Sequence, residues 1–368
     1  MKIFVPQFWL VFAMLLLSAA CKKTPVEIER GFYYWKSDPY SLSDNEEIYL
    51  HENKIQKLYV KMFEIDTDPV LGAVPVSKSS LHIWYNGKTD LTRWNNDSKY
   101  NFSTIGQTMN DLEIIPTIFI RNKILLTASK GSLDTLADNI NYLITKKYGE
   151  HFTKRNSFSE IQLDCDWTEK TRDNYFYLLK KLKATSAKNI SCTLRLYPYK
   201  YRSKMGIPPV DRAVLMCYNL LNPLTNEDKN SILSAEEFKK YLAGSGKYPV
   251  HLDFALPVFS WMQAYQNNQF QGIIYPKPNE IKSNLKPIKK LWYEVTNDWE
   301  TGNLYLRAGD KVKLEDVSAT TIKETISLLK KYAVTGKKHS VIFFHLDQNN
   351  LTRFNNETIN SFFTDFGD

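Results

Sequence analysis

Eight short apolar runs, rich in β-branched and aromatic residues, recur along the chain, and each is followed by a loop and usually by an amphipathic stretch. Regular alternation of strand-like and helix-like segments predicts a parallel sheet, because a helix is the usual connection between strands that run in the same direction. The strand-like runs cover residues 32–35, 58–63, 114–120, 161–166, 191–196, 213–218, 251–257 and 340–346. The clearest helix-like stretches cover residues 133–147, 172–184, 235–242 and 320–331.

Eight strand and helix units predict closure of the sheet into an α/β fold of the (β/α)8 TIM-barrel type. An open doubly wound sheet is the alternative. The chain has 368 residues, of which 43% are hydrophobic, so it has enough apolar side chains for one large core. A single domain can therefore hold all eight units. We therefore predict one barrel over residues 28–368.

Two long segments interrupt the alternation and are predicted to be insertions. The first, residues 66–110, follows strand 2, and we expect a long loop with a strand or two, one of them at residues 81–85. The second, residues 275–318, precedes strand 8. Its short runs are separated by the turn pairs Gly302-Asn303 and Gly309-Asp310, so we predict a small antiparallel β insertion there.

The first residues have the pattern of an export signal: Lys2, an apolar stretch over residues 3–17, and small residues before Cys21. That stretch is too short for a permanent transmembrane helix. The run Ser18-Ala19-Ala20-Cys21 resembles a bacterial lipobox, in which the cysteine is acylated and becomes the mature N-terminus. The resemblance implies a lipoprotein signal peptide at residues 1–20, a palmitate-type lipid on Cys21 and a tether at residues 21–27. An ordinary cleaved signal and a retained anchor are the alternatives.

Lys22 and Lys23 follow that cysteine and do not resemble the aspartate that commonly retains bacterial lipoproteins at the inner membrane. We therefore expect a lipid-anchored protein of the bacterial cell envelope, placed at the outer membrane, with its membrane face left open.

Charge and motif content exclude several classes of function. The net charge of +8 comes from 48 basic and 40 acidic residues that are interspersed, so no run tracks a phosphate backbone and no nucleic-acid partner is expected. Neither a glycine-rich phosphate loop nor a hydrolase nucleophile motif occurs, and no cofactor is expected. The six histidines are dispersed, so no metal site is predicted. Three cysteines remain after Cys21 and are expected to be buried as small apolar residues: Cys165, Cys192 and Cys217.

The most informative run is Ile161-Gln162-Leu163-Asp164-Cys165-Asp166-Trp167-Thr168. Every second side chain of a strand lies on one face, so Asp164 and Asp166 share a side. In a barrel, the C-terminal ends of the strands carry the active site. Two carboxylates on one strand repel each other, so we expect the pKa of one of them to rise. A solvated strand end that caps the following helix is the alternative interpretation.

This run resembles the signature of glycoside hydrolase family 18, the chitinases and endo-N-acetylglucosaminidases, whose fourth barrel strand reads Asp-Gly-x-Asp-x-Asp-x-Glu. Asp164 and Asp166 match its last two aspartates. Met216-Cys217-Tyr218-Asn219 resembles the family's Met-x-Tyr-Asp/Asn on the sixth strand, and Phe344 stands where the last strand ends in a tryptophan. The resemblance implies a (β/α)8 fold, an oligosaccharide ligand, and roles for Asp164, Asp166 and Tyr218 at the reacting sugar.

The chain departs from that family at the general acid. Thr168 stands in place of the glutamate that protonates the glycosidic oxygen, and Ile161 and Gln162 replace the first Asp and the Gly. A threonine hydroxyl cannot act as a general acid near neutral pH. The chain thus resembles bacterial lipoproteins of this fold that lack the usual catalytic Glu.

Other acids are candidates for that role. Glu169 can serve only if the strand has ended by Trp167 and the loop turns back. Alternation from Leu58 places Glu64 on the face of Val60 and Met62, giving it a path into the barrel mouth. Arg195 has the parity to pair with the aspartates, and we expect such a pair to lower their pKa values.

Aromatic side chains at strand ends and loops predict platforms for sugar rings, whose C–H faces pack on π systems. The alternate rings of Tyr197-Pro198-Tyr199-Lys200-Tyr201 predict an exposed ridge, with packing onto the barrel top as the alternative. The candidate substrate-binding residues are Trp35, Arg195, Tyr197, Met216, Asn219, Trp261 and Phe344.

These features together lead to three functional hypotheses. The first is a lipid-anchored, exported glycan-active barrel, a glycoside hydrolase with a non-standard general acid. The second is a non-catalytic glycan-binding lipoprotein with a degenerate active site. The third is an envelope module that binds a protein partner.

Overall fold

Eight parallel strands form a closed barrel in the computed structural model, which describes residues 26–83, 102–152, 158–225, 228–275 and 278–367. Each barrel strand pairs with the next, and the first and second strands also pair, so the sheet has no open end within the barrel. The predicted barrel is confirmed, and the open sheet is excluded. The barrel strands are β1 (Glu27–Tyr34), β2 (Lys57–Asp68), β4 (Glu113–Ile120), β5 (Glu160–Asp164), β6 (Asn189–Leu194), β7 (Arg212–Met216), β8 (His251–Pro257) and β16 (Lys338–Phe344).

Helices cover the outside of the barrel between the strands. Four of them begin at a serine whose hydroxyl accepts a hydrogen bond from a backbone N–H of the first turn: Ser43, Ser129, Ser234 and Ser318. The helices are α1 (Asp44–Glu52), α2 (Phe102–Asp111), α3 (Ile124–Thr127), α4 (Lys130–His151), α5 (Arg172–Ser186), α6 (Leu196–Lys200), α7 (Arg202–Met205), α8 (Ala235–Leu242), α9 (Pro278–Asn284), α10 (Ala319–Tyr332), α11 (Gln348–Leu351) and α12 (Asn356–Gly367). The four helix-like stretches of the sequence correspond to α4, α5, α8 and α10.

The segment after strand 2 begins with a hairpin. Strand β2 continues to Asp68 and pairs antiparallel with β3 (Gly72–Val76). The strand expected at residues 81–85 is not formed over residues 81–83, and the rest of it lies outside the described residues. The backbone N–H of Ser79 instead donates to the carbonyl of Met62, which holds this loop against the barrel.

The inserted β structure before strand 8 begins earlier than the predicted residues 275–318. A hairpin of β9 (Trp261–Gln266) and β10 (Gln269–Ile274) pairs through β9 with β15 (Lys311–Glu315), so it belongs to the same antiparallel sheet. The other two strands of this five-stranded sheet are β11 (Leu285–Lys289) and β12 (Trp292–Val295), and β13 (Trp299–Thr301) and β14 (Leu304–Leu306) form a separate pair.

A buried ion pair lies where this sheet meets the barrel. Lys313 Nζ is 2.5 Å from Glu315 Oε1, and both side chains are fully buried. Glu315 also accepts hydrogen bonds from Trp261 Nε1, at 2.7 Å, and from the Ser231 hydroxyl. The glutamate therefore joins β9, β15 and the loop after β7 through its two oxygens.

The core is continuous through the barrel and out to the helices, and the inserted sheet has a smaller core of its own. Cys165, Cys192 and Cys217 are free thiols buried in the main core, as predicted. Among the described residues, no helix is long and apolar enough to cross a bilayer. The predicted signal peptide and Cys21 lie outside the described residues.

Candidate functional site at the C-terminal end of the barrel

The two candidate aspartates lie where β5 ends. This strand stops at Asp164 rather than continuing to residue 166, because its pairing with β6 ends at Leu163 and Cys192. Asp164 and Asp166 are still close enough to interact electrostatically with each other and with Arg195. The two carboxylates therefore belong to one site.

Asp164 carries a strongly perturbed carboxyl group. The Thr193 hydroxyl of the neighbouring strand donates to its Oδ1 at 2.6 Å. Burial raises the pKa of Asp164 to about 6, aided by the negative charges of Asp166 and Glu64, and the Thr193 hydrogen bond and the Arg195 charge offset only part of that rise. Arg195 does lower the pKa of Asp164, as expected of a nearby cation, but removal of the carboxylate from water outweighs it, so the expected rise of one of the two carboxyl pKa values is found at Asp164.

Arg195 is bound to the other aspartate. Its Nε donates to Asp166 Oδ1 at 2.6 Å and its Nη2 donates to Oδ2 at 3.1 Å. This bidentate geometry occupies one face of the carboxylate and fixes the planes of both groups. The residue lies at the N-terminal boundary of α6, immediately after β6, so the pair bridges two neighbouring strand ends.

Tyr218 joins this group from the end of the next strand. Its ring is 3% exposed, its hydroxyl lies 3.4 Å from Met216 Sδ, and its phenol interacts electrostatically with Arg195 and Asp164. Burial raises the pKa of Tyr218, so the phenol is a neutral hydrogen-bond donor. Asn219 follows with φ at 54°, in the left-handed region that asparagine tolerates, and its side chain is exposed.

Phe344 lies at the centre of an aromatic cluster in the barrel mouth. Its ring centroid is 5.3 Å from Tyr218, and 5.7 Å from both Tyr33 and Trp35. Phe259 packs against it at 5.8 Å. The cluster supports Tyr218 from beneath.

Trp261 packs on Phe259 and donates its N–H to the buried Glu315. It therefore attaches the inserted sheet to the barrel.

Glu64 faces the barrel mouth because of an irregularity in β2, and not through simple alternation of side chains from Leu58. Tyr59 faces the interior, where its ring is 5.3 Å from Tyr33, and Leu58 and Val60 therefore face outward. A register irregularity between Lys61 and Phe63 then brings Glu64 into line with Phe119 and Asp164. A bulge of this kind shifts every later side chain to the other face.

Two cations neutralise Glu64. Lys61 Nζ is 3.0 Å from its Oε1, and Arg121 Nη2 is 2.9 Å from its Oε2. The Lys61 ammonium also lies 5.8 Å from the centre of the Trp35 ring. Both oxygens of Glu64 are therefore engaged by cations, whereas a general acid needs a carboxyl oxygen free to approach the leaving group.

The loop after β5 does turn back, as Glu169 would require. The carbonyl of Thr168 accepts backbone N–H groups of Thr171 and Arg172, and the Thr168 and Thr171 hydroxyls are 3.2 Å apart. The turn directs Glu169 into the same cleft as Asp166. Thr168, in the place of the family's acid, is engaged in stabilising this turn.

One cleft brings together Asp166, Glu169, Arg195 and Tyr218. Its volume is about 880 Å³, and it lies beside the aspartate and arginine pair. Two tyrosines that line it project from helices: Tyr197, which is 45% exposed, and Tyr241 on α8. The lining residues are Asp166, Trp167, Thr168, Glu169, Lys170, Arg195, Leu196, Tyr197, Pro198, Met205, Tyr218, Asn219, Leu220 and Tyr241.

The cleft contains some of the predicted site residues and omits others. The predicted site residues that do not line it are Asp164, Glu64, Trp35, Met216, Trp261 and Phe344. The predicted ridge of alternate rings is not formed, because residues 196–200 are helical and Tyr199 is buried against Tyr248. Tyr241 was missed, since nothing in the pattern of α8 distinguishes a ring above the cleft from a ring packed on the barrel.

Comparison with known proteins identifies the architecture. No family model and no curated protein matches the sequence. Among solved structures, the spore cortex-lytic enzyme SleL of Bacillus megaterium aligns with a TM-score of 0.53 and 15% identity over 94% of this chain and 75% of its own.

Two insect chitinases align over a similar extent. The Ostrinia furnacalis Group IV chitinase gives a TM-score of 0.50 and 11% identity, covering 93% of this chain and 100% of its own. A mutant of catalytic domain 2 of the Group II chitinase from the same insect, in complex with an N-acetylchitooligosaccharide, gives 0.52 and 8% identity, covering 92% and 95%. The resemblance predicted from the sequence is confirmed at the level of the fold: this chain has the (β/α)8 barrel fold of the spore cortex-lytic enzyme and of the chitinases.

Proposed function

We propose that the protein binds an oligosaccharide in the cleft at the C-terminal end of the barrel. The observation that carries this proposal is the juxtaposition, in one cleft of about 880 Å³, of aromatic side chains and the Asp166–Arg195 pair. The rings offer flat apolar surfaces to sugar C–H faces, while the charged pair offers donors and an acceptor to hydroxyl or amide groups.

Binding without cleavage is favoured by the state of the acids. Both oxygens of Asp166 face Arg195, and both oxygens of Glu64 face cations. Thr168 replaces the proton donor of the similar family and supports a turn. Acid catalysis needs a carboxyl group that is protonated and free to approach the leaving oxygen. Neither Asp166 nor Glu64 has a carboxyl oxygen that is free for that approach.

Oligosaccharides of N-acetylglucosamine are the ligands to test first. The similar solved structures are a cortex-lytic enzyme and chitinases, one of them in complex with such an oligosaccharide. An N-acetyl group carries one amide donor and one carbonyl acceptor. The buried Tyr218 phenol and the Asp166–Arg195 pair are groups of complementary polarity in the same cleft.

The test is calorimetric titration of the chain from residue 22 with N-acetylglucosamine oligomers of increasing length. We expect saturable binding that Asp166→Ala and Asp164→Ala each abolish without unfolding the protein. Asp211→Ala is the control, because Asp211 forms a surface pair with Lys183 outside the cleft. Unchanged affinity in both cleft variants would overturn the proposal. A glycan array on the same chain then identifies the preferred sugar.

Hydrolysis with a non-standard acid is the second candidate, and one observation favours it. Asp164 has a pKa of about 6, so a useful fraction of it is protonated near neutral pH, and Glu169 lines the same cleft as Asp166. Mass spectrometry of each bound oligosaccharide after incubation tests this candidate. Shortened products that disappear in Glu169→Gln but persist in Glu64→Gln would establish Glu169 as the acid. Binding with no products would establish a non-catalytic site.

We also propose that a lipid on Cys21 anchors the barrel to the outer membrane of a bacterial envelope. The support is the lipobox-like run and the lysines that follow it. Palmitate labelling of cells that produce the full chain should mark the protein, and Cys21→Ser should remove the label. Recovery of unlabelled protein from the soluble fraction would contradict the anchor. Failure of every glycan to bind would leave an envelope protein as the partner of the cleft.

A further inference from the structure

A group of metal-binding side chains lies at the opposite, N-terminal end of the barrel. His251 and Asp253 belong to the start of β8, and His339 belongs to the start of β16, which pairs with β8. One possible ligand atom from each of the three lies within 4.8 Å of the other two. Two imidazoles and one carboxylate form a ligand set that binds divalent transition ions.

His339 is held in the tautomer that a metal ligand needs. Its Nδ1 is 2.5 Å from the carbonyl oxygen of Leu252, and a carbonyl can only accept, so Nδ1 carries the proton. The lone pair therefore lies on Nε2. In metal sites, the ring nitrogen of a histidine ligand that does not bind the metal commonly donates a hydrogen bond of this type, which orients the ring.

The Nε2 atom of His339 is buried and makes no hydrogen bond, although a backbone group of Gly336 lies near the ring. The residue is 2% exposed. A buried acceptor without a donor is unfavourable, and an ion bound to it would remove that penalty.

Asp253 supplies a carboxyl group that hydrogen bonds hold in place. It is fully buried, its Oδ2 accepts from Arg212 at 3.1 Å, and its Oδ1 accepts the backbone N–H of Ser340 at 2.6 Å. That same Oδ1 lies 3.2 Å from His251 Nε2. Arg212 binds the opposite oxygen, so it orients the carboxylate without covering the histidines.

His251 provides access from solvent. Its side chain is 37% exposed, and its ring stacks on His339 with centroids 5.1 Å apart and planes 13° from parallel. An exposed ring at a strand start can rotate at little cost. Rotation is required, because zinc lies about 2.0–2.2 Å from nitrogen and oxygen ligands.

We propose that His251 Nε2, Asp253 Oδ1 and His339 Nε2 bind one Zn²⁺ ion, with water completing a tetrahedral shell. The ion would join β8 to β16 at the end of the barrel opposite the cleft. The site is independent of glycan binding.

Zinc titration of the full chain by calorimetry, after chelator treatment, tests this site. We expect one ion per chain, at least about tenfold weaker binding in His251→Ala and in His339→Gln, and no change in His151→Ala. His151 is the matched control, because it is also a buried histidine whose Nδ1 faces a carbonyl and whose ring stacks on another histidine, His82.

A second readout distinguishes a built site from loose surface binding. Co²⁺ in a tetrahedral site gives visible d–d absorption, which should appear with the wild type and be absent with His251→Ala. Equal zinc affinity in the wild type and both site variants, or loss of binding in His151→Ala instead, would overturn the proposal. His251→Ala removes an exposed side chain, so its fold is expected to persist even if His339→Gln is unstable.

Discussion

Arg195 donates two hydrogen bonds to Asp166, from Nε at 2.6 Å and from Nη2 at 3.1 Å, and this pair adjoins the buried carboxyl of Asp164. The arginine and Asp166 act on Asp164 with opposite signs. Arg195 lowers the pKa of Asp164, and Asp166 raises it. The protonation of Asp164 therefore reports whether the pair is intact.

Removing either member of this pair should shift the pKa of Asp164 in a predictable direction. In Arg195→Gln the pKa should rise above its value of about 6, because the cation is lost. In Asp166→Asn it should fall, because the neighbouring negative charge is lost. Carbon-13 NMR titration of aspartate carboxyl groups measures both shifts. Shifts of the same sign in the two variants would contradict this account of the site.

Asp164 should make the protein less stable as the pH rises. The folded carboxyl has a pKa of about 6 against the ordinary 3.8, so the folded state binds the proton more tightly than the unfolded chain. The loss of folding stability caused by Asp164 is absent below about pH 4, grows as the pH rises to about 6, and is constant above that. Asp164→Asn should therefore be more stable than the wild type at pH 7 by about 1–3 kcal/mol, a range that allows for its partial contact with solvent.

Urea denaturation at pH 4.5 and at pH 7 checks this difference. The advantage of Asp164→Asn should be small at the lower pH and should appear at the higher one. The Thr193 hydroxyl can still donate to the asparagine carbonyl, so the hydrogen bond at this position is retained. A variant that is less stable at both pH values would show that the carboxylate is not strained by burial.

Tyr197 should contribute to glycan affinity through its exposed ring. It is 45% exposed and lines the cleft, and its ring lies 4.6 Å from that of Tyr201. Tyr197→Ala should weaken oligosaccharide binding about three- to tenfold, which corresponds to the binding free energy of one aromatic contact. Tyr142→Ala is the control, because Tyr142 is an exposed ring on α4, far from the cleft lining. Equal loss of affinity in both variants would mean that the effect is not specific to the cleft.

The Lys313–Glu315 pair should be intolerant of single substitutions. Both side chains are fully buried, so Lys313→Met leaves an uncompensated carboxylate in the interior and should cost about 3–5 kcal/mol. Chemical denaturation measures the loss. Lys323→Met is the matched control: Lys323 pairs with Asp365, and both side chains are at least 40% exposed, so the loss should be below about 1 kcal/mol. Similar losses in the two variants would show that burial does not govern the pair.

Local periodicity was sufficient for the barrel and for part of its site. The eight apolar runs became the eight barrel strands because burial of both sheet faces selects continuous β-rich segments. Alternation placed Asp164 and Asp166 on the same side, and the short turn after β5 was anticipated as the condition for Glu169 to enter the cleft. These are properties of neighbouring residues, which a sequence expresses directly.

Strand register and side-chain packing could not be predicted from the sequence in the same way. Glu64 faces inward because of an irregularity in β2, and the ring of Tyr199 is buried because residues 196–200 form a helix. The pKa of Asp164 depends on how fully the barrel excludes water from it, which outweighs the arginine nearby.

The alternating pattern by itself indicated the eight strands and their order along the chain, and it left a closed barrel and an open sheet as alternatives. Only the tertiary structure decided which distant groups meet: Asp166 with Arg195, Glu64 with Arg121, and His251 and Asp253 with His339. The physical reason is that strand formation depends on apolar periodicity within one segment. Contacts between segments depend on barrel closure, strand register and burial, which no single segment specifies.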